Sequence, residues 1–143
     1  MRYIVATDGS EWSLKAARFL VQRSCPDSDD EVFVIYVFPL PSDPDCYEGF
    51  VALPTEANDE RVVEVASPIL AKTMEVFRET ECRVNDVVMV GNPAKEIVEF
   101  AMNLGVDLIV AGTRGRSPAK EFYLGSVSNS LTHRAPCSVL IVR

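Results

Sequence analysis

Several things are scarce in this chain, and each scarcity excludes a class of protein. Among 143 residues there is one histidine, and no cluster of ligand-type residues surrounds it, so His133 reads as a structural or surface residue and a protein metal centre is not expected. The four cysteines (Cys25, Cys46, Cys82, Cys137) are widely spaced and form no C-x-x-C pair, so they are expected as free thiols in a reducing compartment. No apolar run approaches the roughly 18 residues of a membrane helix. The N-terminal apolar stretch is too short for a signal-peptide core and runs straight into Asp8, which points to the cytoplasm. Basic residues are also short: 14 against 21 acids, a net charge of −7, which argues against coating nucleic acid or docking on an anionic membrane.

The shortage of bases is uneven. Between Ser24 and Glu60 there is no Lys or Arg, and that stretch carries ten acids. From Leu108 to the end the charge is +4, from Arg114, Arg116, Lys120, Arg134 and Arg143 against Glu121. An acidic protein that keeps a basic, glycine-containing segment invites the question of which anion sits there.

The chain is long enough for one domain, 1–143, with a core that needs no disulfide staple. Its periodicity alternates. Strands are expected at Arg2–Thr7, Glu31–Phe38, Val84–Val90, Val106–Ala111 and Ser138–Arg143, short apolar runs that suit burial on both faces. Helices are expected after Ser10, from about Asn58 to Thr80, from Pro93 behind the cap Asn92, and from Ser126 to His133. Pro68 either kinks the second helix or, behind Ser67, starts a new one. Residues 39–57 form a long acidic loop holding Pro39, Pro41, Pro44 and Pro54. The order βαβαβαβαβ calls for an open, Rossmann-like parallel sheet with helices on both faces, whose ligand lies off the carboxyl ends of the strands at the topological switch point.

Two segments would meet there: Ala6-Thr7-Asp8-Gly9-Ser10 after strand one and Ala111-Gly112-Thr113-Arg114-Gly115-Arg116 after strand four. The spacing Gly112-x2-Gly115-x9-Gly125-Ser126 lies between a strand and a helix. Glycines permit close backbone approach, and the helix N-terminus at Gly125, Ser126, Val127 and Ser128 offers unpaired N–H groups and hydroxyls to an anion. A turn and a cap is the plainer alternative. Arg114, Arg116 and Lys120 either touch phosphate or raise the local potential as solvated loop charge. Asp8 suits a ribose hydroxyl, an exocyclic amine or a metal ion, and otherwise caps the first helix. A phosphoacceptor domain fits poorly, since strand three ends in Val90-Gly91-Asn92 without an acid.

The segments IVATDGSEWSLKAARF, VFVIYVF, VGNPAKEIVEFA, VDLIVAGTRGRS and LGSVSNSLTHRAPCSVLIV, together with the glycine spacing, resemble the universal stress protein family over essentially the whole chain. The spacing is similar to that of the family's nucleotide-binding branch. The resemblance implies strand order 3-2-1-4-5 and an adenine nucleotide, ATP, with Mg2+ or Mn2+ bridging its phosphates. It implies that Ala6 and Asp8 border the adenosine, that Val37 meets adenine through its backbone, and that Ala111, Gly112 and Gly115 line ribose and phosphates. Gly125, Ser126, Val127 and Ser128 would hold the phosphates, with Arg116 alongside. It further implies a homodimer through the last strand, Ser138 to Arg143, whose apolar edge needs cover. The activity implied is regulatory binding in the stress response. The alternatives are a slow ATPase or nucleotide-dependent transferase, for which no Walker lysine or general base is visible and no catalytic residue is named, and a nucleotide-free scaffold.

Overall fold

The computed structural model describes residues 1–24, 27–41, 53–115 and 124–143. Five parallel strands form one sheet: β1 (Arg2–Ala6), β2 (Glu31–Pro39), β3 (Arg83–Gly91), β4 (Leu108–Gly112) and β5 (Ser138–Val142). Their spatial order is β3-β2-β1-β4-β5, so the chain reverses direction beside β1. Among the described residues four helices connect them: α1 (Glu11–Ser24), α2 (Glu60–Met74, followed by a 3-10 turn over Glu75–Phe77), α3 (Pro93–Leu104) and α4 (Ser126–Arg134).

Alternation along the strands feeds two cores. Tyr3 and Val5 of β1 face α1 and α2, joining Ala16, Leu20, Ile69 and Leu70. Ile4 faces the other way, joining Ile35, Ile97, Ala101, Ile109 and Leu131 beneath α3 and α4. Both faces of the central strands are therefore covered, which is why their sequences read as unbroken apolar runs.

The helix ends follow local chemistry. Ser10 Oγ accepts the Ser13 N–H at 3.3 Å and starts α1. Asn92 accepts the Lys95 N–H, with Pro93 in the first helical position, where a missing N–H costs nothing. Gly105 closes α3 in the left-handed region at φ 60°, a conformation glycine adopts without a Cβ clash. Pro68 lies inside α2, and the helix runs through it. Pro68 and Glu64, whose carbonyl loses its usual N–H partner, are both exposed, so water can serve that carbonyl. The open question at Pro68 is thus answered by one continuous helix.

The start of α2 is pH-sensitive. Asp59 caps it, accepting the Arg61 N–H at 3.0 Å and pairing with the Arg61 guanidinium at 2.6 Å. The side-chain hydrogen bonds from Arg61, then its backbone N–H, pull the Asp59 carboxyl from 3.8 down to about 2. A folded-state value below the unfolded one contributes stability above the unfolded value and loses it as pH falls toward the folded one. Asp59→Asn keeps a good cap but removes the charge. It is expected to melt below wild type near neutral pH, with the gap closing as pH drops from about 4 to about 2. Thermal melts across that range check this, and a gap that persists in strong acid would refute it.

Cys82 and Cys137 are free thiols. Cys25 and Cys46 lie outside the described residues, as do residues 42–52 of the proline-rich loop. Among the described residues, no helix is long and apolar enough to cross a membrane.

Candidate functional site

A crevice of about 800 Å³ opens over the carboxyl ends of β1, β2 and β4, where the reversal of strand order places it. Its shape follows from unequal strand lengths. β1 pairs with β2 only as far as Ala6 and Ile35, whereas β2 continues along β3 to Pro39 and Gly91. Beyond Ile35, one backbone edge of β2 therefore has no neighbouring strand among the described residues.

The pairing shows which groups lie on that edge. Glu31 N–H donates to Met1 and Ile35 C=O accepts from Thr7, so odd residues of β2 face β1. Asp30 C=O accepts from Arg83 and Leu40 N–H donates to Gly91, so even residues face β3. Val37 is odd. Its N–H and C=O both point past the end of β1 into the crevice, a donor and an acceptor on one residue. Pro39 is the next odd residue and has no N–H, a loss the β2–β3 ladder does not feel.

The floor is the turn after β1. Thr7 is buried, and its hydroxyl meets Ser13 Oγ at 3.1 Å and Thr73 Oγ1 at 2.9 Å while accepting the Gly9 N–H at 3.2 Å. This buried chain ties β1 to α1 and α2 and holds the turn in place. Asp8 Oδ1 accepts the Ser10 N–H at 3.0 Å, and Gly9 takes φ 76° to complete the bend. Ser10, not Asp8, supplies the cap on α1.

The far wall is the segment from β4 to α4. The Gly125 N–H donates to Thr113 C=O at 2.7 Å, and α4 begins with Asn129 N–H donating to Gly125 C=O at 2.9 Å. The N–H groups of Ser126, Val127 and Ser128 lie in the first turn, have no intrahelical partner, and sit at the positive end of the helix dipole. No side chain caps them among the described residues.

Of the residues expected at the site, Ala6, Asp8, Val37, Ala111, Gly112, Gly115, Gly125, Ser126 and Val127 all line this crevice. Arg116 lies outside the described residues, as does Lys120. Two expectations need correction. Ser128 is buried, and its hydroxyl lies 2.9 Å from Thr113 C=O and 3.0 Å from Gly125 C=O, to which it donates. Its one proton is committed to tying α4 to β4, so it is not a side-chain donor to a ligand. The Gly125 N–H is likewise already bonded. Conversely, Ser130 and Arg134 line the crevice and were not singled out. With Ser126 they fall at four-residue intervals on α4, a stripe that helical spacing could have revealed.

Asp8 is the one carboxylate among the described lining residues, against Arg114 and Arg134. No three His, Cys, Asp or Glu side chains converge among the described residues. Among the described residues, this donor set does not fit a resident metal ion. A smaller cleft of about 440 Å³ at the opposite end of the sheet is charged, but its groups pair with one another. The Met1 ammonium meets Asp30 at 2.6 Å, and Arg2 and Arg83 share Glu31.

This geometry has relatives. The sequence profile of the universal stress protein family matches residues 1–143. The chain belongs to the universal stress protein family. Universal stress protein MJ0531 of Methanocaldococcus jannaschii is 34% identical, covering 99% of this chain and 81% of that protein. Universal stress protein YxiE of Bacillus subtilis is also 34% identical, covering 99% and 98%. Solved family structures share the fold. The universal stress protein of Archaeoglobus fulgidus in complex with dAMP matches with a TM-score of 0.66 at 19% identity, covering 100% of this chain and 98% of that one. A universal stress protein in complex with cAMP matches at 0.63 and 24%, covering 100% and 97%. An Arabidopsis thaliana family member with AMP bound matches at 0.64 and 14%, covering 99% and 90%. Adenine nucleotides thus recur as ligands in this fold family.

Proposed function

We propose that the crevice binds an adenine nucleotide, with ATP as the working ligand and any Mg2+ or Mn2+ carried on its phosphates. The observation that carries this reading is the pair of backbone groups on Val37 that face no strand among the described residues, set across the crevice from the N–H groups of Ser126, Val127 and Ser128. Adenine presents an acceptor at N1 and a donor at N6, which match the Val37 N–H and C=O. Guanine presents the two in the opposite order at the same edge, so adenine is preferred. The first turn of α4 suits phosphate, and Asp8 beside Gly115 lies between the two, where a carboxylate can accept from ribose hydroxyls. Family structures with AMP, dAMP and cAMP support the same ligand class.

In this reading the protein is a cytoplasmic regulator of the stress response whose nucleotide occupancy is its signal, and it occupies one domain. It pairs with a second copy through β5. Among the described residues that strand bonds only β4, and Val139, Leu140 and Ile141 are incompletely buried, an apolar edge of the kind proteins usually cover.

The test begins with denaturing the purified protein and identifying any released nucleotide by mass spectrometry. Calorimetric titrations with ATP and GTP follow. ATP is expected to be released or to bind in preference to GTP. Absence of co-purified nucleotide together with no binding at millimolar concentration would overturn the assignment.

A further inference from the structure

Trp12 is the only tryptophan in the chain and sits half-buried in the first turn of α1, behind the crevice wall. The Arg114 guanidinium carbon lies 5.8 Å from its ring centroid, and Lys15 Nζ lies 6.0 Å from it. Both separations fall within the range of about 6 Å over which an aromatic face attracts a cation. The contact is anchored at both roots. A Cβ built on Gly112 would stand 2.6 Å from the Trp12 carbonyl carbon, so α1 is pressed directly on the end of β4 at the root of the Trp12 side chain. The Arg114 Cα lies 3.4 Å from where a Cβ on Gly125 would stand, beside the first turn of α4. Arg114 itself lines the crevice.

We propose that Arg114, braced against the face of Trp12, reads the phosphates of the bound nucleotide, with Trp12 as the residue that positions it. This rests on the nucleotide reading above and adds a role that the glycine spacing does not supply. A guanidinium is a planar fork of N–H donors suited to phosphate oxygens, and it stacks on aromatic faces. An aromatic face attracts a guanidinium without neutralising its charge. Lys15 on the same ring adds to the positive potential on this side. The role concerns charge on the ligand, so adenosine, which has no phosphate, should not register it.

The experiment measures ATP and adenosine binding by calorimetry for wild type, Arg114→Gln, Arg114→Lys and Trp12→Leu, alongside intrinsic fluorescence. Leucine at position 12 keeps the Cβ that meets Gly112. Arg114→Gln is expected to weaken ATP by about tenfold while adenosine stays within about twofold. Arg114→Lys should recover only part of the loss, since an ammonium cannot fork. Trp12→Leu should weaken ATP by a smaller factor and leave adenosine unchanged. In wild type, ATP should shift the Trp12 emission as Arg114 turns to phosphate, and adenosine should not. If ATP binds wild type but Arg114→Gln and Trp12→Leu bind it equally well and the emission stays constant, the proposal is overturned while the nucleotide site stands. Equal loss of ATP and adenosine in Arg114→Gln would assign the residue a structural role instead and also overturn it. If wild type binds neither ligand, both readings fall.

Discussion

Replacing Gly112 by alanine is expected to destabilise the protein by about 3 kcal/mol, toward the upper end of typical overpacking costs, lowering Tm by about 10 °C. The added Cβ would stand 2.6 Å from the carbonyl carbon of Trp12, 2.7 Å from its oxygen and 2.8 Å from its Cβ. Two of these atoms are backbone and the third is fixed to it, so no rotamer change relieves the overlap. Either α1 lifts from β4 or β4 shifts within the sheet, and both moves disturb the buried contacts around Val110 and Ala17. Chemical or thermal denaturation measures the effect. Gly115→Ala is the matching control. There the added Cβ would collide with Asp8 Oδ2, the far end of a side chain that can swing aside. Near-equal stability of the two variants would contradict the packing argument.

That contrast bears on what could be read before the fold was seen. The open parallel sheet was legible because buried parallel strands leave unbroken apolar runs and crossover handedness leaves few topologies, while the order 3-2-1-4-5 came from the family resemblance. Of the nine expected residues that line the crevice, those at the ends of β1 and β4 followed from the switch-point rule, those at the start of α4 from the glycine spacing, and Val37 from the family resemblance alone. The reasons behind the glycines were less legible. Glycine spacing suggests backbone drawn close to a ligand, yet the space beside Gly112 is filled by α1, from the opposite end of the sequence. Such a contact leaves no local trace. Ser128 failed for the same reason: a serine in the first turn reads as a donor to a ligand until Thr113 C=O is seen 2.9 Å away. The charge asymmetry drew attention to the segment that holds Arg114, which lines the crevice, and the stripe Ser126, Ser130, Arg134 was present in the sequence at helical spacing. The exposed edge of Val37 was beyond local reading, because it depends on β1 ending four residues before β2 does relative to their register.

Gly125→Val is expected to lower ATP affinity by at least about tenfold, or about 1.4 kcal/mol, with a small change in Tm. The backbone is not the obstacle. Gly125 has φ −61° and ψ 162°, a conformation open to any residue. An added Cβ would lie 3.4 Å from Arg114 Cα and from Thr113 O, and 3.7 Å from Ser128 Oγ, which is ordinary contact. Alanine therefore fits, and Gly125→Ala should keep affinity within about threefold. Valine adds two γ carbons on the side where those neighbours already touch. The Gly125–Thr113 hydrogen bond at 2.7 Å and the Ser128–Thr113 bond at 2.9 Å hold α4 against β4 there, and the extra bulk must loosen them. The first turn of α4 then moves relative to Val37 and Asp8, and phosphate can no longer be met while the base stays seated. Adenosine, which does not need that turn, should lose little. Calorimetry on the folded variants distinguishes these outcomes. Unchanged ATP affinity in the valine variant would mean that phosphate is not bound at the N-terminus of α4. A parallel loss of adenosine would mean that the substitution had deformed the whole crevice and not its phosphate end.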